Sequence, residues 1–202
     1  MAVIFFRAMS PQLSMRFRLL GVLPLIFFLI QAIHYRHYGG LGNLLWMCNA
    51  GNVLLGIGLL VGNREAIRAA AIWTIPGFII WIKYVLLASG GFYFSTTQAH
   101  VGGIIVGMIA LRRIGMDKRA WVYAFGWYLL TQLAARLFAA PDLNVNVAHM
   151  VQPGWERTFT SYWKFWIVMT AVVAIGSWAM GKVLALIWPA TELTTEDTEN
   201  HR

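Results

Sequence analysis

A single cysteine, Cys48, stands in the 202 residues, which excludes an intrachain disulfide and any metal cluster built on several thiolates. Acids are scarce too: the chain has eight Asp and Glu against sixteen Lys and Arg, and none of the eight falls inside a long apolar stretch. A second domain, an internal repeat and an RNA- or DNA-binding motif are all missing. Charged residues make up only 12%, and 59% are hydrophobic, a balance far from that of a water-soluble domain.

What fills the chain is apolar sequence. Stretches at about 19–33, 43–61, 68–88, 97–111, 120–139 and 164–188 read as helices, each near the ~20 apolar residues that cross a ~30 Å hydrocarbon core. The second, fourth and sixth show almost no hydrophilic face for solvent. The expectation is an all-α, polytopic membrane protein of about six transmembrane helices in one bundle over residues 1–190. Thr191 to Arg202, with four acids, reads as a solvated tail.

The formal charge of +8 is distributed as a topology signal and not as a nucleic-acid footprint. Arg7, Arg16, Arg18, Arg64, Arg68, Arg112, Arg113, Lys118 and Arg119 lie before the first span or in the even-numbered turns. The opposite loops carry Arg36, Arg136, Arg157 and Lys164. The bias places both termini in the cytoplasm of a multi-pass protein of the cell membrane. The first span has a basic start like a signal peptide, but its exit, Gln31-Ala32-Ile33-His34-Tyr35, lacks an Ala-x-Ala cleavage pattern, so it is expected to be retained.

With that topology the polar intramembrane residues collect near the extracytoplasmic side. Gln31, His34 and His37 end the first helix; Cys48, Asn49 and Asn52 lie in the outer half of the second; Lys83 is near the outer end of the third; Gln98 and His100 open the fourth. Tyr128, Gln132 and Arg136 form an i, i+4, i+8 stripe on the fifth, and the loop beyond adds Asp142, Asn144, Asn146 and His149. Unsatisfied polar groups in lipid cost on the order of a few kcal/mol, so these groups should face one another or a water-filled pocket opening outward. At 1.5 Å per residue, Cys48 lies roughly 7–8 Å inside its helix and His100 roughly 5–6 Å inside the next but one.

Each residue also has a plainer role. Asn49 and Asn52 suit interhelical hydrogen bonding, Cys48 a small buried apolar position, Lys83 snorkelling to the headgroups. Gly102, Gly103 and Gly107 suit close helix packing, Pro76 a kink, and Trp46, Trp155, Trp163 and Trp188 interface anchoring. The chemical reading pairs Cys48 with His100, because a thiol needs a base to become a thiolate nucleophile, with the amides of Asn49, Asn52 or Asn146 stabilising an oxyanion; in the alternative within the same pocket His100 activates water directly.

The runs Leu44-Leu45-Trp46-Met47-Cys48-Asn49, Ala99-His100-Val101-Gly102, Asn144-Val145-Asn146 and Tyr162-Trp163-Lys164-Phe165-Trp166 together resemble the YwaF-like integral membrane proteins. That family is similar to a eukaryotic transmembrane acyltransferase and, more remotely, to ADTRP-type lipid hydrolases. The resemblance covers about residues 40–185. It implies acyl transfer or hydrolysis on membrane lipids, with Cys48 and His100 catalytic and Asn144 and Asn146 matching the family's asparagine pair. Asn49, Asn52, Gln132 and Arg136 are candidates to bind or orient the substrate. This chain departs from the pattern: Leu and Trp replace the Pro and His expected shortly before the cysteine, Val145 and Val147 replace tyrosines, and the aromatic run lacks its prolines.

No cofactor is needed in that reading. The alternatives are a divalent-metal or haem site drawing on His34, His37, His100 and His149, imidazole being a suitable ligand for either, or a non-catalytic membrane subunit or transporter.

Overall fold

The computed structural model describes residues 13–87 and 94–190; Arg7 and the acidic tail expected over 191–202 lie outside the described residues. Helices dominate, in the order α1 (Met15–Leu19), α2 (Val22–His37), α3 (Met47–Val61), α4 (Arg64–Leu87), α5 (Phe94–Thr97), α6 (Gly103–Ile114), α7 (Ala120–Phe138) and α8 (Tyr162–Ile187). A π-turn over Gln98–Gly102 joins α5 to α6, and 3-10 turns cover Leu41–Leu45, Pro141–Leu143 and Val145–Val147. Strands are absent among the described residues, where the one β-bridge joins Met116 to Pro189.

Four segments are long and apolar enough to cross a membrane: Met15–His37, Arg64–Leu87, Phe94–Ile114 and Tyr162–Ile187. The other two expected spans also form helices, on different terms. Where a helix was expected from about residue 43, α3 starts only at Met47, because the chain first makes a 3-10 turn; its 15 residues rise about 22 Å. The 19-residue α7 includes Thr131, Gln132 and Arg136, which lower its apolar character. At Pro76, where a kink was expected, α4 remains helical on both sides.

The six helical segments run alternately between two ends of one bundle, and side chains identify each end. At one, Arg18 donates from Nε to the Leu60 carbonyl at 2.6 Å, and Arg68 donates from Nε to the Gly115 carbonyl at 2.8 Å. These guanidinium groups satisfy carbonyls that the last turns of α3 and α6 leave unpaired and complement the negative ends of the helix dipoles. Met116 joins the same end by donating its N–H to the Trp188 carbonyl at 2.7 Å. Arg64 opens α4, Arg112 and Arg113 lie in the last turn of α6, and Lys118 and Arg119 follow before α7, so this is the basic end. The other end holds the start of α3, the turn over 141–150 and the start of α8.

Small residues let the helices approach. Gly21 lies so close to the Gly56 carbonyl that a Cβ there would overlap it, and a Cβ on Gly56 would sit 2.7 Å from Leu25 Cγ. Ala69 and Ala71 of α4 pack with Leu111, Ala120 and Ala124, while Ala70 packs on another side with Leu55, Leu59 and Ala110. Outward faces are apolar: Ile33, Leu86, Leu137, Ile167 and Ile175 are each more than 60% exposed, which fits lipid and not water.

Gly56→Ala should therefore force α2 and α3 apart and destabilise the bundle by about 1–3 kcal/mol. Gly126→Ala, inside α7 where an added Cβ meets nothing within 4 Å, should stabilise it by about 0.5–1 kcal/mol through helix propensity. Thermal unfolding in detergent separates the two.

Candidate functional site

The site begins with the way the turn after α7 is fastened to the start of α3. Asn146 accepts the Met47 N–H at 3.1 Å and donates to the Leu45 carbonyl at 2.8 Å, so one amide pairs with the backbone on both sides of Trp46. Met47 opens α3, and its N–H is one that the helix itself leaves without a partner. To present that amide the chain takes left-handed conformations at Asn144, Asn146 and Val147, with φ of 41°, 52° and 55°. Asparagine tolerates this region; a β-branched valine does so at a cost of roughly 1–3 kcal/mol.

The rest of the turn is equally tied down. Asn144 Oδ1 accepts the N–H groups of His149 and Met150, both at 3.1 Å. Gln132 donates to Tyr128 Oη at 3.0 Å and accepts the Trp166 indole N–H at 2.9 Å. Arg136 donates to the Ala148 carbonyl at 2.7 Å and to Tyr162 Oη at 3.0 Å, with its guanidinium 5.2 Å from the centre of the Trp163 ring. The polar stripe on α7 therefore joins α7, the turn and α8 to one another.

Beneath this scaffold lies a cavity of about 700 Å³, lined mainly by apolar and aromatic groups. His34 and Tyr35 enter it from α2, Cys48 from α3, Trp81 from α4 and His100 from the π-turn, while Asn146 and Val147 form part of its rim. Cys48 and His100 both approach Gly77 in this cavity. A Cβ at Gly77 would stand 3.2 Å from Cys48 Cβ and 3.7 Å from His100 Cδ2, so the absence of a side chain makes room for both. Pro76 and Gly77 thus form a wall of the cavity in an unbroken helix.

His100 Nδ1 lies 2.7 Å from the Thr96 carbonyl oxygen. A carbonyl can only accept, so Nδ1 carries the hydrogen, and in the neutral ring Nε2 is left with its lone pair. Nε2 is bonded to Cδ2, the ring atom nearest Gly77. The ring also stacks on Trp81, with centroids 6.3 Å apart and planes at 18°. Cys48, half-buried, sits in the first turn of α3.

The three asparagines considered as oxyanion donors differ in placement. Asn52 uses both amide hydrogens, on the Cys48 carbonyl at 3.1 Å and the Ala99 carbonyl at 3.0 Å, and so holds α3 to the π-turn. This packing needs Gly103, where a Cβ would stand 2.5 Å from Asn52 Oδ1. Asn49 is fully buried, donates to the Asn43 carbonyl and is not among the cavity's lining residues. Asn146 alone of the three lines the cavity and has an amide hydrogen left after its bond to Leu45.

Of the four histidines considered for a metal or haem, the cavity brings together His34 and His100. His37 is exposed, and His149 makes its ring contact with the Ala135 carbonyl at 3.2 Å. Among the described residues no three His, Cys, Asp or Glu side chains form a group able to hold a metal ion.

The aromatic lining was not singled out from the sequence. Its signal is the spacing of Trp73, Gly77, Trp81 and Tyr84 along one face of α4, where the glycine and flanking rings distinguish this face from lipid-facing Ile79 and Ile82. The fold and cavity define a helical membrane protein with a half-enclosed aromatic chamber holding one thiol and one imidazole. No family model, curated protein or solved structure matches the chain.

Asn146→Ala should leave the Met47 N–H and Leu45 carbonyl unpaired, at about 1–3 kcal/mol for each group that stays buried. Because it also frees the rim of the cavity, maleimide labelling of Cys48, the sole thiol, should accelerate. An unchanged labelling rate would show that the clamp does not control access.

Proposed function

We propose that the protein is a cell-membrane enzyme acting on the acyl groups of membrane lipids, by transfer or hydrolysis, with Cys48 as nucleophile and His100 as its base. The observation that carries this reading is that Cys48 and His100 line one apolar chamber beside Gly77, with Nδ1 of His100 bonded to the Thr96 carbonyl and Nε2 left with its lone pair. The short motifs that resemble the YwaF-like family fall on the same residues and add to it.

In this mechanism the ester chain lies in the aromatic chamber. His100 Nε2 takes the Cys48 proton, and the thiolate adds to the ester carbonyl. The amide of Asn146 is the oxyanion donor whose placement suits the role. Collapse of the tetrahedral adduct breaks the ester C–O bond, the departing alkoxide takes the proton from His100, and a thioester remains on Cys48. His100 then deprotonates an incoming alcohol or water, which displaces the thiolate and completes transfer or hydrolysis. Gln132, Arg136 and Asn144 keep the rim in place and act as positioning residues.

The same reading has six crossings with the basic end in the cytoplasm. In a Cys48→Ala background, Gln152→Cys should react with a membrane-impermeant maleimide added to intact cells, and Lys118→Cys should react only after lysis. The reverse pattern would overturn the orientation.

Catalysis is tested by comparing phospholipid and lysophospholipid profiles of membranes holding equal amounts of wild-type, Cys48→Ala, Cys48→Ser and His100→Ala protein. A wild-type-dependent acyl change should vanish in His100→Ala and in both cysteine variants. Retention in Cys48→Ser and Cys48→Ala would transfer the nucleophile's role to water, and a fully active His100→Ala protein would exclude both versions.

A further inference from the structure

Lys83 occupies a position that packing does not explain. It lies one turn before the last described residue of α4, and its neighbours Ile79, Ile80, Ile82, Val85, Leu86 and Leu87 are all exposed apolar side chains. A cation on a lipid-facing surface is costly, and near a helix end its ammonium extends toward the headgroup level.

Beneath it is a second hollow of about 310 Å³, lined by Ile80, Lys83, Tyr84 and Leu87. Ile80 and Tyr84 also line the main cavity, so the two spaces adjoin along α4. A chain lying in the aromatic chamber and leaving past Ile80 and Tyr84 would bring its polar head to Lys83. The local charge is one-sided: neither space is lined by a carboxylate, and Glu65 and Asp117 belong to the opposite end. Asp142 and Glu156 lie in the α7–α8 segment and line neither space.

We infer that the chamber takes phospholipids of net negative charge in preference to zwitterionic ones, with Lys83 pairing with the headgroup phosphate at the mouth while the acyl chain lies beside Cys48 and His100. This rests on the proposed lipid reading and adds the headgroup class. Lys83 binds the head and takes no part in the chemistry.

Occupancy is read by protection of Cys48 from N-ethylmaleimide, with the full chain in nanodiscs of zwitterionic lipid. The two probes are lysophosphatidylglycerol and lysophosphatidylcholine with the same acyl chain. One basic side chain near the membrane surface contributes about fivefold in affinity for an anionic group, so the glycerol lipid should protect at about fivefold lower concentration. Lys83→Gln should remove that preference, so that the two lipids protect at the same concentration, and the protection by the choline lipid that remains shows that the variant is folded. Lys83→Arg should retain the preference, as should Lys182→Gln, an exposed lysine near the basic end of α8. Equal protection by both lipids in the wild type, or a preference that survives Lys83→Gln, would overturn the inference and leave the lipid reading standing. Absence of protection by either lipid would overturn both.

Discussion

The Asn146 amide between Leu45 and Met47 is the contact on which the chamber depends. A 15-residue α3 begins with an N–H that lipid cannot satisfy, and the partner comes from a residue 99 positions later. Fixing that partner fixes the rim, because Asn146 and Val147 line the cavity themselves. The surrounding bonds have one direction of effect: Asn144 folds the turn, Gln132 and Arg136 hold it to α7, and Tyr162 and Trp166 hold α7 to α8. The left-handed backbone at Val147 persists because these neighbours over-determine it. A helix cap, a strained turn and a binding cavity are therefore parts of one arrangement.

Inside that frame, glycines determine what can meet. Gly77 leaves the space into which Cys48 and His100 project from different helices, and Gly103 admits the Asn52 amide that ties α3 to the π-turn. The π-turn itself carries His100, and the Thr96 carbonyl sets its tautomer. Reactivity in such a chamber is a matter of position, since the walls are mostly hydrocarbon and few polar groups converge. Removal of side chains contributes as much to the geometry as their addition.

Much of the architecture was legible because lipid imposes simple rules. Runs of apolar residues mark the helices, and the i, i+4, i+8 spacing of Tyr128, Gln132 and Arg136 marks a polar face that the structure directs toward the turn and α8. The start of α3 was misplaced because Leu44 and Leu45 are as apolar as a helix requires; the 3-10 turn there follows from long-range bonding to Asn146, which no local pattern encodes. The sequence placed Cys48 and His100 at similar depth but could not show that they share a cavity, since that depends on the missing side chain of Gly77 on a third helix. Asn49, Asn52 and Asn146 look equivalent as amides, and only the structure distinguishes the one whose remaining hydrogen is near the cavity. Arg18 and Arg68, read as topology charges, are also caps on the carbonyl ends of α3 and α6.

The small bridge at the basic end bears on the order of synthesis. Met116 lies in the turn between α6 and α7, yet its N–H is taken by the Trp188 carbonyl and its own carbonyl accepts from Ala190. Until the ribosome has released the far end of α8, that turn lacks both backbone partners, and α4 and α7 lack the helix that covers their remaining faces. During synthesis the earlier helices are therefore made before the bundle can close, and α8, when it emerges, completes contacts begun by them.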